Sequence, residues 1–221
     1  MSETEALVLT EFDAGVMTVT LNRPAKANAL NATMLTALAE AFEQAARNPD
    51  LRALLVTAAG DRAFCAGADL SELASLTEST ESEGDDLWTQ MAGRLRALPI
   101  LTIAVMNGTC MGGGLTLALG CDIRVAVPEA WFQYPVLKNN VMPAQYDVNS
   151  LVRLVGPGRS SAILLGGDKL SAEEALHWGL VDRLANRSEL LATAQGLIEV
   201  AVNSDPDHLA AIKTRIKEAQ T

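Results

Sequence analysis

The chain has 221 residues, enough to bury a core and within the range of one domain. Its 49% hydrophobic and 20% charged residues exclude a disordered chain, and no unbroken apolar run reaches membrane length. A net charge of −10 excludes a nucleic-acid backbone as natural partner, because that affinity needs a clustered basic surface.

Cys65, Cys110 and Cys121 are odd in number and lack CxxC spacing, which reads as buried free thiols in a reducing compartment. The start MSETEALVL has neither a basic segment leading into an apolar stretch nor an Arg-rich pattern, so the expected location is the cytoplasm. No metal-ligand spacing is visible.

In chain order, ALVLTEF and GVMTVTLNRP predict a hairpin, and LNATMLTALAEAFEQAARNPD a helix that Asn31 caps and Pro49 ends. LRALLVTAA predicts a strand and AFCAGADL a glycine-containing turn. The polar, acidic stretch from Ser71 to Trp88 predicts a mobile surface loop. A helix around LWTQMAGRLRAL follows, then a strand in ILTIAVMNG, a helix opened by Gly112-Gly113-Gly114, and strands in IRVAVP and AWFQYP. Beyond Pro143 the chain reads as mostly helical. Strands that repeatedly precede helices imply a layered α/β fold, with ligand sites where strand ends meet helix N-termini.

The glycine run lets a ligand approach the main chain, and the helix it opens supplies unpaired N–H groups. If CAGADL lies beside it, the N–H of Ala68 can point at the same space, and two converging amides form an oxyanion hole. The alternative, that the glycines only ease a tight turn, stays open on these residues alone.

Together, RPAKANALN, AFCAGADLSEL, NGTCMGGGLTLALGCDIRVA, FQYP and LSAEEALHWGLVDRL resemble the enoyl-CoA hydratase/isomerase, or crotonase, superfamily over nearly the whole chain. The resemblance implies a crotonase-like spiral of ββα units with trailing α-helices, the core over about 1–142 and the helical region over 143–221 of a single domain. It implies a homotrimer or dimer of trimers, and a C-terminally short chain whose acyl site is either open or covered by a neighbouring subunit. It implies an acyl-CoA thioester as substrate and no separate cofactor, with CoA or the phosphopantetheine of an acyl carrier protein belonging to the substrate. Matched position by position, the oxyanion amides fall on Ala68 and Gly113, and Ala66, Gly67, Ala68, Asp69 and Leu70 match the stretch holding the pantetheine and adenine end. Lys26, Ala27, Ala29 and Gly112 complete that side, and Arg23, Lys26 and Lys138 are the cations expected nearest the CoA phosphates.

The hydratases' two catalytic glutamates fall on Thr116 and Val136, and the acid of some isomerases and dehalogenases falls on Ala144. None of the three can titrate near neutral pH. The remaining candidates for an acid or base are Tyr134, Tyr146 and Asp147, with bound water or the substrate itself as alternatives; Asp147 is the first choice, set against a helix-capping role for an aspartate in a first turn. Tyr146 is expected to line the acyl pocket and Tyr134 to be a half-buried strand residue, while His177 and His208 read as surface or packing residues. The functional expectation is a crotonase-type lyase or isomerase of fatty-acid metabolism that stabilises a thioester enolate and hydrates enoyl-CoA poorly. The alternative is an acyl-CoA-binding protein without chemistry.

Overall fold

The computed structural model describes residues 6–72 and 87–219. Most of the stretch read as a mobile loop, residues 73–86, lies outside the described residues.

The hairpin forms as read: β1 (Val8–Asp13) and β2 (Val16–Leu21) pair antiparallel, Val8 opposite Leu21. β2 alternates buried and partly exposed residues, as a strand with one covered face must. In α1 (Ala32–Arg47) the buried Met34, Leu35, Leu38, Phe42 and Ala45 recur at helical spacing. Asn31 caps it, its side-chain oxygen accepting from the Met34 N–H at 3.0 Å.

The chain then lays down strands in pairs, each followed by a helix. β3 (Ala53–Ala58) and β4 (Ala63–Cys65) precede α2 (Leu87–Ala97), and β5 (Leu101–Met106) and β6 (Thr109–Met111) precede α3 (Gly113–Leu119). β7 (Ile123–Ala126) and β8 (Trp131–Gln133) precede α4 (Gln145–Val155). The first member of each pair joins a sheet ordered β1-β2-β3-β5-β7-β10, and the second joins a sheet ordered β4-β6-β8-β9. This is the ββα spiral, and parallel pairing along it places successive strand ends side by side. Five of the six residues of β3 are buried, because parallel strands in this arrangement are covered on both faces.

After α4 come α5 (Pro157–Ser161), a π-helical turn over Ala162–Gly166, α6 (Ala172–Trp178), α7 (Leu190–Val202) and α8 (Pro206–Glu218). The region read as mostly helical also holds two short strands. β9 (Lys169–Ser171) pairs antiparallel with β8, and β10 (Arg183–Leu184) runs parallel to β7. At two and three residues they are too short to show alternation, so they extend sheets whose pattern was set elsewhere. Phe42, Phe64, Phe132, Leu54 and Leu55 are among the largest side chains of a continuous buried cluster. All three cysteines are free and buried, and burial pushes the thiols of Cys65 and Cys121 up to about 12. Among the described residues, no helix is long and apolar enough to cross a membrane.

Candidate active site

β4 and β6 are parallel neighbours with Cys65 opposite Cys110, so the segments leaving their ends lie together. A Cβ built on Gly67 would stand 3.2 Å from the Met111 carbonyl oxygen and 3.6 Å from the nitrogen of Gly113. The two glycine turns, far apart in sequence, therefore touch. Gly67 has φ +98° and Gly112 φ +46°, backbone that a residue with a Cβ adopts only under strain.

A third segment locks against them. Ala66 N donates to Ala27 O at 3.0 Å, Leu30 N to Gly67 O at 2.8 Å and Asp69 N to Leu30 O at 2.8 Å, so residues 27–30 run alongside residues 66–69. This pairing engages the amides on either side of Ala68, and the Gly112 N–H goes to Gln133 O at 3.0 Å; none of these bonds is donated by Ala68 or Gly113. Arg23, expected among the phosphate cations, instead braces this junction through Asp69 Oδ2 at 2.7 Å and Ala29 O at 3.1 Å. Hydrogen bonds from Ser71 and then Arg23 hold the Asp69 carboxyl well below the usual carboxylate range. Lys26 and Leu70 are exposed, Ala27 lines a cavity of about 230 Å³ between residues 24–28 and 59–63, and Lys138 lies exposed in the turn after β8.

A second cavity, of about 190 Å³, is bounded by α2, α3 and the start of α4. Trp88, Thr89, Ala92 and Arg96 come from α2, Thr116 from α3, and Ala144, Gln145, Tyr146 and Asp147 from the segment opening α4. It gathers Thr116, Ala144, Tyr146 and Asp147 from the residues singled out in the sequence, whereas Val136 is buried outside its lining. Trp88 links this cavity to the glycine junction: a Cβ on Gly113 would lie 2.3 Å from the ring's Cη2.

Asp147 is not a cap. The residue preceding α4, Ala144, makes no side-chain cap, and the Asp147 carboxyl turns into the protein, where it is 1% exposed. The Tyr134 hydroxyl donates to its Oδ2 at 2.6 Å and the Thr116 hydroxyl donates to the same oxygen at 2.7 Å. Oδ1 is buried with no hydrogen-bond partner among the described residues. Burial raises the Asp147 pKa against the lowering effect of the two hydroxyls and of Arg96. Tyr134 is pushed well above its ordinary value by burial and by the neighbouring carboxylate, so its proton stays on. A carboxyl with one oxygen saturated and the other unpartnered can hold or accept a proton at the free oxygen.

The sequence matches the model of the enoyl-CoA hydratase/isomerase family over residues 11–221. The chain belongs to this family. It is 36% identical over 218 residues to the 1,2-epoxyphenylacetyl-CoA isomerase of Escherichia coli, an alignment covering 97% of this chain and 83% of that protein. It is likewise 36% identical over 214 residues to the carnitinyl-CoA dehydratase of Salmonella typhi, covering 95% of this chain and 79% of the relative. The crystal structure of an enoyl-CoA hydratase/carnithine racemase from Magnetospirillum magneticum matches with a TM-score of 0.90 at 31% identity, over 99% of this chain and 82% of that one. The crotonase fold implied by the motifs is the fold observed.

Trp88 and Arg96 were not among the candidates read from this enoyl-CoA hydratase/isomerase sequence. Both sit on a helix whose amphipathic pattern reads as packing, and no signal in LWTQMAGRLRAL distinguishes a cavity-lining arginine from a solvated one. Tyr134 is a candidate in the sequence, but its bond to Asp147 crosses 13 positions and no periodicity encodes it.

Proposed function

We propose that the protein binds an acyl thioester of CoA, or of a carrier-protein phosphopantetheine, and stabilises its enolate, with Asp147 handling the proton. In this reading the thioester oxygen sits at the N–H groups of Ala68 and Gly113. Amides preorganised there act more strongly on the enolate than on the neutral carbonyl, each contributing roughly 3–4 kcal/mol to the transition state. The contact between the two glycine turns supports this placement. The observation that carries the reading is Oδ1 of Asp147, without a hydrogen-bond partner among the described residues, in a residue that lines the same cavity as Thr116 and Ala144.

A carboxyl with a raised pKa keeps its proton closer to neutrality, and once ionised it is a stronger base than an ordinary carboxylate. Thr116 contributes a hydroxyl that orients Asp147 and cannot itself titrate near neutral pH. Hydration of an enoyl thioester needs both a base for water and an acid for carbon, and Asp147 is the lone carboxyl among the described lining residues. Isomerisation or another single-carboxyl proton transfer fits better.

Enolate formation is measurable without knowing the natural acyl group. Butyryl-CoA incubated with the protein in deuterium oxide should gain deuterium at its α-carbon, followed by mass spectrometry, and Asp147→Asn should slow exchange by roughly 10²–10⁴-fold. Crotonyl-CoA hydration should be very slow. Unchanged exchange in the variant, or rapid hydration, contradicts the role of Asp147; tight binding without exchange by the unaltered protein points instead to an acyl-thioester carrier without chemistry.

A further inference from the structure

Arg96 lies in the last turn of α2, on the wall of the cavity that holds Asp147. The other ionisable side chains among the described lining residues are Tyr146 and Asp147 itself. Its guanidinium carbon stacks 3.4 Å from the centroid of the Tyr146 ring, and the Tyr146 hydroxyl donates to Leu119 O at 3.1 Å, which fixes that ring. Stacking holds the guanidinium plane but satisfies none of its N–H donors. Among the described residues no carboxylate comes within ion-pair distance of Arg96 and no acceptor takes a hydrogen bond from its side chain. Arg23, Arg94 and Arg124 differ, each paired with Asp69, Glu43 or Asp182.

Among the described residues, the charge at this end of the cavity is positive. Burial lowers the Arg96 pKa, the mark of a guanidinium that has lost water without gaining a full counterion. Asp147 attracts Arg96 from beyond contact, yet its own proton affinity is raised, so its charge offsets that of Arg96 only in part. Lys217 donates to the carbonyl of Arg96 and adds a further positive charge nearby.

We infer that the acyl group this cavity takes carries its own carboxylate, and that Arg96 is the residue that reads it. The inference rests on the thioester-binding reading above and names its substrate class: a CoA monothioester of a short dicarboxylic acid. A planar guanidinium presents a fork of N–H donors that matches the two oxygens of a carboxylate. The cavity, about 190 Å³ as bounded by the described residues, has room for an acyl chain of a few carbons ending in a carboxylate. The positions that match family acids, Thr116 and Ala144, line this same cavity, so it faces the acyl end of the ligand and not the CoA phosphates.

Calorimetric titration of glutaryl-CoA and of its uncharged counterpart pentanoyl-CoA tests this, because both carry the same CoA. The protein should bind glutaryl-CoA roughly tenfold or more tightly than pentanoyl-CoA, Arg96→Gln should bring the ratio towards one, and Arg96→Lys should restore part of it. Equal affinity for the two ligands in the unaltered protein overturns the inference and requires no variant to fold. An equal loss for both ligands in Arg96→Gln also overturns it, since that pattern assigns Arg96 to the shared CoA. Binding of neither thioester overturns the thioester reading itself and this inference with it.

Discussion

Tyr134 and Thr116 both donate to one oxygen of Asp147 while the other has no partner among the described residues, so the ionised side chain is only partly compensated for its loss of water. The folded-state pKa is therefore above that of the unfolded chain, where an aspartate titrates near ~3.9. Between the two values the folded state binds the proton and the unfolded state does not, so this group's contribution to stability is full below the ordinary carboxylate range and is lost as pH rises through the raised value. Asp147→Asn retains an acceptor for both hydroxyls and has no such titration. The melting temperature of the variant minus that of the unaltered protein should thus increase as pH is raised from about 4 to 8, a range spanning the ordinary carboxylate pKa and neutrality. A difference that is constant or decreases with pH contradicts burial as the cause.

At the scale of elements, Gly113 and Gly114 open the same helix but face different neighbours. A Cβ on Gly114 would lie 2.7 Å from the Cys65 Cβ and 2.9 Å from the Cys65 carbonyl oxygen, the backbone of β4. A Cβ on Gly113 would meet the ring edge of Trp88, the far end of a side chain that is only partly buried. Alanine in a helix is favoured over glycine by about 1 kcal/mol, which can offset a displaced side chain but not a displaced strand. Gly114→Ala should destabilise by about 1–3 kcal/mol in urea unfolding. Gly113→Ala should stay within about 1 kcal/mol of the unaltered protein while weakening acyl-CoA binding, since it moves Trp88 at the cavity. Equal destabilisation by the two changes would contradict the separate surroundings assigned to them.

For the whole molecule, cohesion comes from the spiral and from ties between distant segments. Lys213 on α8 donates to Ile100 O at 2.6 Å and to Asp122 Oδ2 at 2.7 Å, fastening the last helix to the start of β5 and the end of α3. Asp122 Oδ2 also accepts from the N–H and hydroxyl of Thr102, so one carboxylate joins three segments. The spiral was legible in the sequence because it is written locally: apolar runs of strand length, the Asn31 cap, and glycines where the backbone requires them at Gly67 and Gly112. The shared motifs led from there to the family. The site was legible only in part. Asp147 was visible as an ionisable residue in the right region, but its sequence position suggested a cap, and only the packing of α4 against α3 and the chain leaving β8 brings it to Thr116 and Tyr134. Arg96 was illegible because its role depends on what fails to pair with it, which no local pattern records.

The central claim is that two main-chain amides from separate ββα units meet at one thioester oxygen with Asp147 beside the acyl chain. A crystal structure of the protein with butyryl-CoA tests this most directly. The thioester oxygen should lie about 3 Å from the nitrogens of both Ala68 and Gly113, with the acyl carbons in the cavity against Asp147. A thioester bound away from these amides, with the Trp88 ring still seated on Gly113, would contradict it.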